Sequence, residues 1–460
     1  MCGVFGIYAP DRDVARVTHF ALHALQHRGQ EAAGIAVSEQ GRLTVMRELG
    51  LLTQFKEQKL RGLQGEVAIG HTRYSTTGSS AWANAQPLIH HGRARTIVLA
   101  HNGNLVDTDA LRDELTRAGA KLTSTSDSEL IAAAIAHDPR PLDEAVPAAI
   151  TRLEGAFSVT AIASGTLIAF RDRYGFRPLA LGRLGDDWVA ASETCAFDLL
   201  GAEAVRDVGR GELILVEDCK LRSVQAVPPG NDGAFCIFEY FYFSRPDSHL
   251  MGVEAHSARV RMGERLAAEA PVEADLVLPI PDSGTPAAVG FSRASDIPFS
   301  EGLIKNRYVG RTFIQPDQEL RQQGVRLKFN PLDEVAGRRV VVIDDSIVRG
   351  NTTRQLVRML FDAGAAEVHV RVSSPPVIGP CFYGIDLPDE EQLIAASRSV
   401  EEVRDYIGAT SLAYLSLEGL TEATRQPAST LCRACLTRDY PTPIPQGNRL
   451  EKLRFEPAPA

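Results

Sequence analysis

The chain opens MCGVFG, with a cysteine directly behind the initiator. Loss of Met1, expected beside so small a side chain, leaves Cys2 with an α-amine of its own. A free thiol has a pKa near ~8.5 and an α-amine near ~7.7–8.0, so the amine can take the thiol proton at neutral pH, directly or through a water. Threonine and its own amine work this way in other N-terminal nucleophiles. Three segments offer partners. HTRYSTTG (71–78) presents Arg73, whose planar guanidinium can hold an α-carboxylate through two bonds. In HNGNL (101–105), which follows a strand, the Asn102 side-chain amide and the Gly103 backbone N–H can form an oxyanion hole. TSDSE (125–129) opens a helix and offers Asp127 to a substrate ammonium. Clamps of opposite charge describe an amino acid, and a thiol nucleophile suits the side-chain amide of glutamine. Taken singly, Asp127 reads as a helix cap and Arg73 as a structural ion-pair partner.

A second constellation lies in VVVIDDSIVRGNTT (340–353). An apolar strand delivers Asp344 and Asp345 at its carboxyl end, where ligands bind in parallel α/β sheets. A loop and a helix start follow. Their backbone N–H groups, with the hydroxyls of Ser346, Thr352 and Thr353, make an anion site that Gly350 lets a ligand approach closely. Two acids beside a phosphate loop make sense if they grip ribose hydroxyls, or a Mg²⁺ ion that also bridges a diphosphate. The alternative is a pair of exposed caps on an ordinary turn. PIPDSGTPAA (279–288) is a second strand-to-helix turn, bringing Ser283 and Gly284 to the same diphosphate. IKNRYVGRTFIQP (304–316) supplies Lys305, Arg307 and Arg311 in a loop suited to closing over a leaving group.

CRAC (432–435) joins Cys236 and Cys381 as a third candidate site. Four thiolates make either a structural zinc site or an iron–sulfur cluster, and spacing does not separate the two. Cys195 and Cys219 read as a small buried residue and a turn residue. His90 and His91 are adjacent, point to opposite faces of a strand, and read as turn or surface positions.

The elements that must hold these residues divide the chain. With 460 residues, two or three domains are expected. Short β-rich runs at 66–74, 95–103, 156–172, 187–193 and 212–218, with helical patterns at 13–27 and 127–137, predict sheets with helices outside them. Beyond the Pro/Gly/Asn-rich stretch 223–233 the rhythm changes: apolar strands at 274–284, 339–350 and 367–376 alternate with helical patterns at 285–293 and 352–363. That alternation predicts a parallel sheet. The expected division is 2–228 and 229–460, with a Pro-rich end from Tyr440 wrapping a surface. A net charge of −9 argues against nucleic acid as a partner, and no apolar run of membrane-spanning length or signal peptide is visible. A cytoplasmic setting is the default, in which the seven cysteines are thiols, ligands or catalysts before disulfides.

MCGVFG, LQHRGQEAAGI (25–35), HTRYSTTG, HNGNL and SDSE, in this order, resemble the class II glutamine amidotransferase domain, from Cys2 to about residue 220. VVVIDDSIVRGNTT resembles the phosphoribosyl-pyrophosphate (PRPP) signature of the type I phosphoribosyltransferases. Joined, and with FEYFYFSRPDS (238–248) and SSPP, the match is to the amidophosphoribosyltransferase family over nearly the whole chain. The resemblance implies an N-terminal-nucleophile four-layer αββα sandwich followed by a parallel-sheet α/β domain. It implies phosphate contacts from Ser346 through Val348, Arg349, Gly350, Asn351 and Thr352 to Thr353, with Lys305 and Arg307 closing over the ligand. Asp344, Asp345 and Ser283 would lie near the sugar and Mg²⁺. It further implies glutamine and PRPP as substrates, purine nucleotides as feedback inhibitors, a homotetramer, and a [4Fe–4S] cluster on Cys236, Cys381, Cys432 and Cys435. A different acceptor half, a PRPP-sensing regulator and a paralogue that has lost one activity are the competing readings. Glutamine-driven against ammonia-driven PRPP consumption separates them.

Overall fold

The computed structural model describes residues 1–55, 57–75, 78–229, 232–306, 327–387 and 389–444. Residues 3–225 supply two stacked antiparallel sheets. One has seven strands and includes Gly3–Tyr8, Ala32–Glu39 and Val67–Arg73; the other has six and includes Thr96–Leu105, Gly155–Ala163 and Thr166–Arg171. Their inner faces meet in an apolar layer containing Val4, Ile69, Val98 and Ile162. The helices Val14–Ala24 and Cys195–Leu200 pack outside the first sheet, and Ser128–Ala136 and Leu142–Arg152 outside the second. These are the four layers of an αββα sandwich. The run 156–172 is not one strand: Ser164 and Gly165 take positive φ and fold it into a hairpin.

The parallel sheet of the second half orders its strands Leu276–Pro279, Arg339–Asp344, Glu367–Val372 and Ser411–Tyr414. Helices Asn351–Asp362 and Val400–Ile407 cover one face, Ala255–Glu269 and Thr285–Ser295 the other. The last pair crosses so closely that a Cβ on Gly263 or Gly290 would lie 1.9 Å from a carbonyl oxygen of the facing helix. Every strand but the last is almost wholly buried, which is why these segments read as apolar runs without alternation. A two-stranded parallel pairing of Phe235–Cys236 with Leu431–Cys432 ties the two ends of this half together.

The halves share an apolar core. Met1, Val106, Ala156 and Phe176 cluster with Phe238, Phe291, Tyr383 and Leu415, and the Phe176 and Tyr383 rings stack at 4.1 Å between centroids. Tyr440 and Thr442 close over it: Tyr440 donates to the Pro380 carbonyl (2.9 Å), and Thr442 meets the Tyr383 hydroxyl (2.8 Å). Among the described residues no helix is long and apolar enough to cross a membrane.

Candidate active sites

Register places the thiol. Gly3 pairs with Thr72 in the first sheet, so Cys2 lies at the strand end beside Arg73 and Tyr74. Its Sγ meets the Tyr74 carbonyl at 3.5 Å, and its backbone N–H donates to Asn102 Oδ1 at 3.2 Å from the opposite sheet. Its carbonyl accepts from Arg28 Nε at 2.9 Å. The backbone of Cys2 is therefore fixed on both sides.

With Asn102 Oδ1 committed to Cys2, its Nδ2 is buried with no partner among the described residues. Leaving such a donor unmet costs ~1–3 kcal/mol, which an acceptor brought by a ligand would recover. Gly103 follows at φ +152, and a Cβ there would lie 1.9 Å from the Ala156 carbonyl oxygen. Only glycine fits, and the two donors of the expected oxyanion hole are adjacent.

Asp127 occupies the N-cap position of Ser128–Ala136 without capping it. Its Oδ2 instead accepts from the Leu105 N–H at 2.9 Å, which turns the carboxylate toward the HNGNL strand. Glu129, which sequence reading gave no role, holds the loop before it through the Thr123 and Ser124 N–H groups (2.9 and 2.6 Å). Burial would raise the Glu129 pKa, but His90 and those N–H groups outweigh it and bring it to about 2. His90 is thus buried, not a turn or surface residue; His91 on the other face is exposed, as alternation requires. Burial also keeps His71 neutral, near a pKa of about 3. Arg73 is buried and donates to the carbonyls of Ser79 (2.9 Å) and Gly78 (3.4 Å), with Glu31 at 3.8 Å.

The second half contributes a wall to this site. Its Cys381–Asp386 stretch crosses the end of the HNGNL strand: Asn104 Nδ2 donates to the Phe382 carbonyl (3.1 Å), and the Tyr74 hydroxyl to Asp386 Oδ2 (3.0 Å). A Cβ on Gly384 would lie 2.9 Å from the Gly103 carbonyl carbon. No signal in a single sequence joins these residues.

Asp344 and Asp345 stand at the end of the second strand of the parallel sheet, both buried. Burial first, and then the neighbouring Asp345, push Asp344 well above the ordinary carboxylate range; burial also raises Asp345. Ser283 and Ser346 donate their hydroxyls to Asp345, the latter at 2.7 Å, and the Asp345 N–H donates to Asp344 Oδ1 at 2.9 Å. Gly350, at φ +74, turns the chain into the helix Asn351–Asp362. Val348 is half-buried and its carbonyl accepts from the Ile394 N–H (2.9 Å). Arg349, Asn351 and Thr352 are exposed at the helix start, while Thr353 turns its hydroxyl inward, 3.5 Å from Asp344. Asn351 also accepts from the Tyr406 hydroxyl (2.7 Å). Lys305 is ion-paired with Asp282 in the neighbouring turn. Arg307 and Arg311 lie outside the described residues.

Cys236, Cys381, Cys432 and Cys435 are all buried, with Cys236 opposite Cys432 in the parallel pairing. Burial pushes Cys236 up to about 11 against the pull of Arg177. Burial, then Cys236, Cys381 and Cys432, push Cys435 well above its usual range. The Tyr383 N–H donates to Cys381 Sγ at 3.4 Å. Among the described residues no three His, Cys, Asp or Glu side chains close round a single ion position. Cys195 is buried and Cys219 is an exposed turn residue, as read.

A buried thiol beside an unmet amide donor in an αββα sandwich, joined to a parallel sheet with paired acids at its strand ends, defines a glutamine amidotransferase coupled to a phosphoribosyltransferase. A glutamine amidotransferase domain model matches residues 71–198 and a phosphoribosyl transferase domain model residues 253–374. The amidophosphoribosyltransferase of Synechococcus elongatus is 52% identical over 467 residues, covering 99% of this chain and 94% of its own. That of Archaeoglobus fulgidus is 48% identical over 453 residues, covering 97% and 99%. The solved structure of the B. subtilis glutamine PRPP amidotransferase, complexed with ADP and GMP, is 44% identical with a TM-score of 0.91, covering 98% of this chain and 100% of that one. The chain belongs to the amidophosphoribosyltransferase family: glutamine-dependent enzymes that aminate PRPP in the first step of purine biosynthesis.

Proposed function

We propose that Cys2 is the nucleophile of a glutaminase unit spanning 2–228, and that Asp344 and Asp345 organise a PRPP site in a transferase unit spanning 229–460. The orphaned Asn102 Nδ2, beside the one residue that can occupy position 103, carries the first assignment. With Met1 removed, the Cys2 amine takes the thiol proton and Sγ attacks the amide carbon of glutamine. The oxyanion forms against Asn102 Nδ2 and the Gly103 N–H. Ammonia leaves with the amine's proton, and water then releases glutamate from the thioester. Arg73 and Asp127 hold the substrate's carboxylate and ammonium, Arg73 by exchanging its present carbonyl partners.

Ammonia next displaces pyrophosphate from C1 of PRPP. Ser346 to Thr353 receive the 5′-phosphate at the helix start, and Lys305 swings from Asp282 to the diphosphate. Asp344, Asp345 and the Ser283 and Ser346 hydroxyls form an oxygen-only donor set, which fits Mg²⁺. A bound Mg²⁺ would neutralise charge on the leaving diphosphate. The four buried thiols, close enough for their charges to act on one another, would hold either a [4Fe–4S] cluster or zinc, and the family resemblance favours the cluster. Purine nucleotides are proposed as feedback ligands, supported by the nucleotide complex of the B. subtilis relative.

Cys2→Ala tests the central assignment. It is expected to abolish glutamine-driven phosphoribosylamine formation and to leave ammonia-driven PRPP consumption intact. Equal loss of both would mean that Cys2 is structural.

A further inference from the structure

We propose that Glu239, contributed by the second half, is a positioning residue for the nucleophile of the first. The inference rests on Cys2 being that nucleophile. Arg28 is wholly buried and spends Nε on the Cys2 carbonyl. Its two other nitrogens face carboxylates. Glu239 takes them bidentately, at 3.1 and 2.8 Å, and Glu193 also accepts from Nη1.

The two carboxylates are not equivalent. Glu193 divides itself among His27 Nε2 (2.7 Å), the Ser248 hydroxyl (2.6 Å) and the Arg245 N–H (2.9 Å). Glu239 serves Arg28, the Ser244 hydroxyl (2.7 Å) and Arg177 at 3.5 Å. A fork-to-fork pair fixes the plane of a guanidinium as a single contact cannot. Glu239 therefore sets the direction in which Arg28 points Nε at Cys2. The turn that carries it, Glu239–Phe243, also lays the Phe243 ring 4.6 Å from Arg28 Cζ.

That turn is anchored from behind. Arg259, buried on the helix Ala255–Glu269, donates to the carbonyls of Tyr240 and Ser244, both at 2.7 Å. The thiol is thus held through Asn102 and Tyr74 by its own half, and through Arg28 by an acid of the other.

Glu239→Gln keeps the shape and removes the charge. Glutamine-driven kcat is expected to fall about 10-fold or more, with KM for glutamine changed less than ~3-fold, because the interaction orients the thiol and does not touch substrate. Ammonia-driven PRPP consumption should stay within about 2-fold, and alkylation of Cys2 by a glutamine-like chloroketone should slow in step with kcat. If Glu239→Gln does not fold, Ser244→Ala, which removes only a donor to Glu239, should lower glutamine-driven kcat by ~3-fold with the same sparing of the ammonia reaction. An unchanged glutamine kcat, or parallel loss of both reactions, overturns the proposal. Cys2→Ala run beside it separates the two failures: glutamine turnover surviving Cys2→Ala sinks the nucleophile assignment itself.

Discussion

At the scale of single residues, the glutaminase site depends on atoms whose partners are already assigned. Asn102 gives its oxygen to the Cys2 N–H, and its buried nitrogen is the proposed oxyanion donor, so Asn102→Ala removes both at once. Glutamine-driven kcat should fall by ~10²–10³, the usual loss for one oxyanion donor, with ammonia-driven activity spared. Steady-state assays with the two nitrogen sources check this. Asp344 gives a prediction of opposite sign for stability and function. Its carboxyl is raised by burial and by Asp345, so holding it ionised at neutral pH opposes folding. Asp344→Asn should raise the melting temperature, while PRPP consumption is lost. A lower melting temperature would show that the carboxylate is compensated.

At the scale of elements, the segment 123–127 is held at its start by one carboxylate and at Thr125 by the Asn84 side chain. Glu129 sits on two backbone N–H groups of that segment with its pKa depressed to about 2. A depressed acid contributes stability that is complete above its unfolded value near ~4.3 and is lost as pH falls toward the folded value. Glu129→Gln should cost ~1–3 kcal/mol at neutral pH and flatten stability between about pH 4.5 and 2, read by denaturant titration across pH. Because Asp127 rides on that segment, KM for glutamine should rise more than kcat falls. Other elements were hidden from the sequence for local reasons. The helix Leu142–Arg152 runs through Pro147, a residue that ordinarily breaks helices. The run 156–172 conceals its turn because Ser164 and Gly165 interrupt an otherwise apolar stretch only briefly.

At the scale of the whole molecule, the halves are joined by a continuous apolar cluster and by the buried Arg28–Glu239 pair. Separating them would expose Phe176 and Tyr383 and strand charges that burial tolerates only when paired. Loss of ammonia-driven and glutamine-driven activity on heating should therefore coincide, and calorimetry should record one transition. Two resolved transitions would mean that the shared core does not couple the halves. A fragment limited to 2–228 should aggregate or turn over glutamine poorly, for the same reason.

The sequence alone determined the family and the local frames that carry its motifs. Cys2, HNGNL and VVVIDDSIVRGNTT each lie within one strand-and-turn unit, where backbone hydrogen bonding and glycine placement fix the arrangement over a few residues. Arg28 and Glu239 both lie in stretches that reading singled out, yet neither received a role there. They are 211 residues apart and meet only because the two halves pack against each other. The same holds for Tyr74 with Asp386 and for the four thiols. Short-range order follows from the chain's own dihedrals and pattern; long-range juxtaposition is settled by which buried surfaces and charges find one another, and only the tertiary structure decides that.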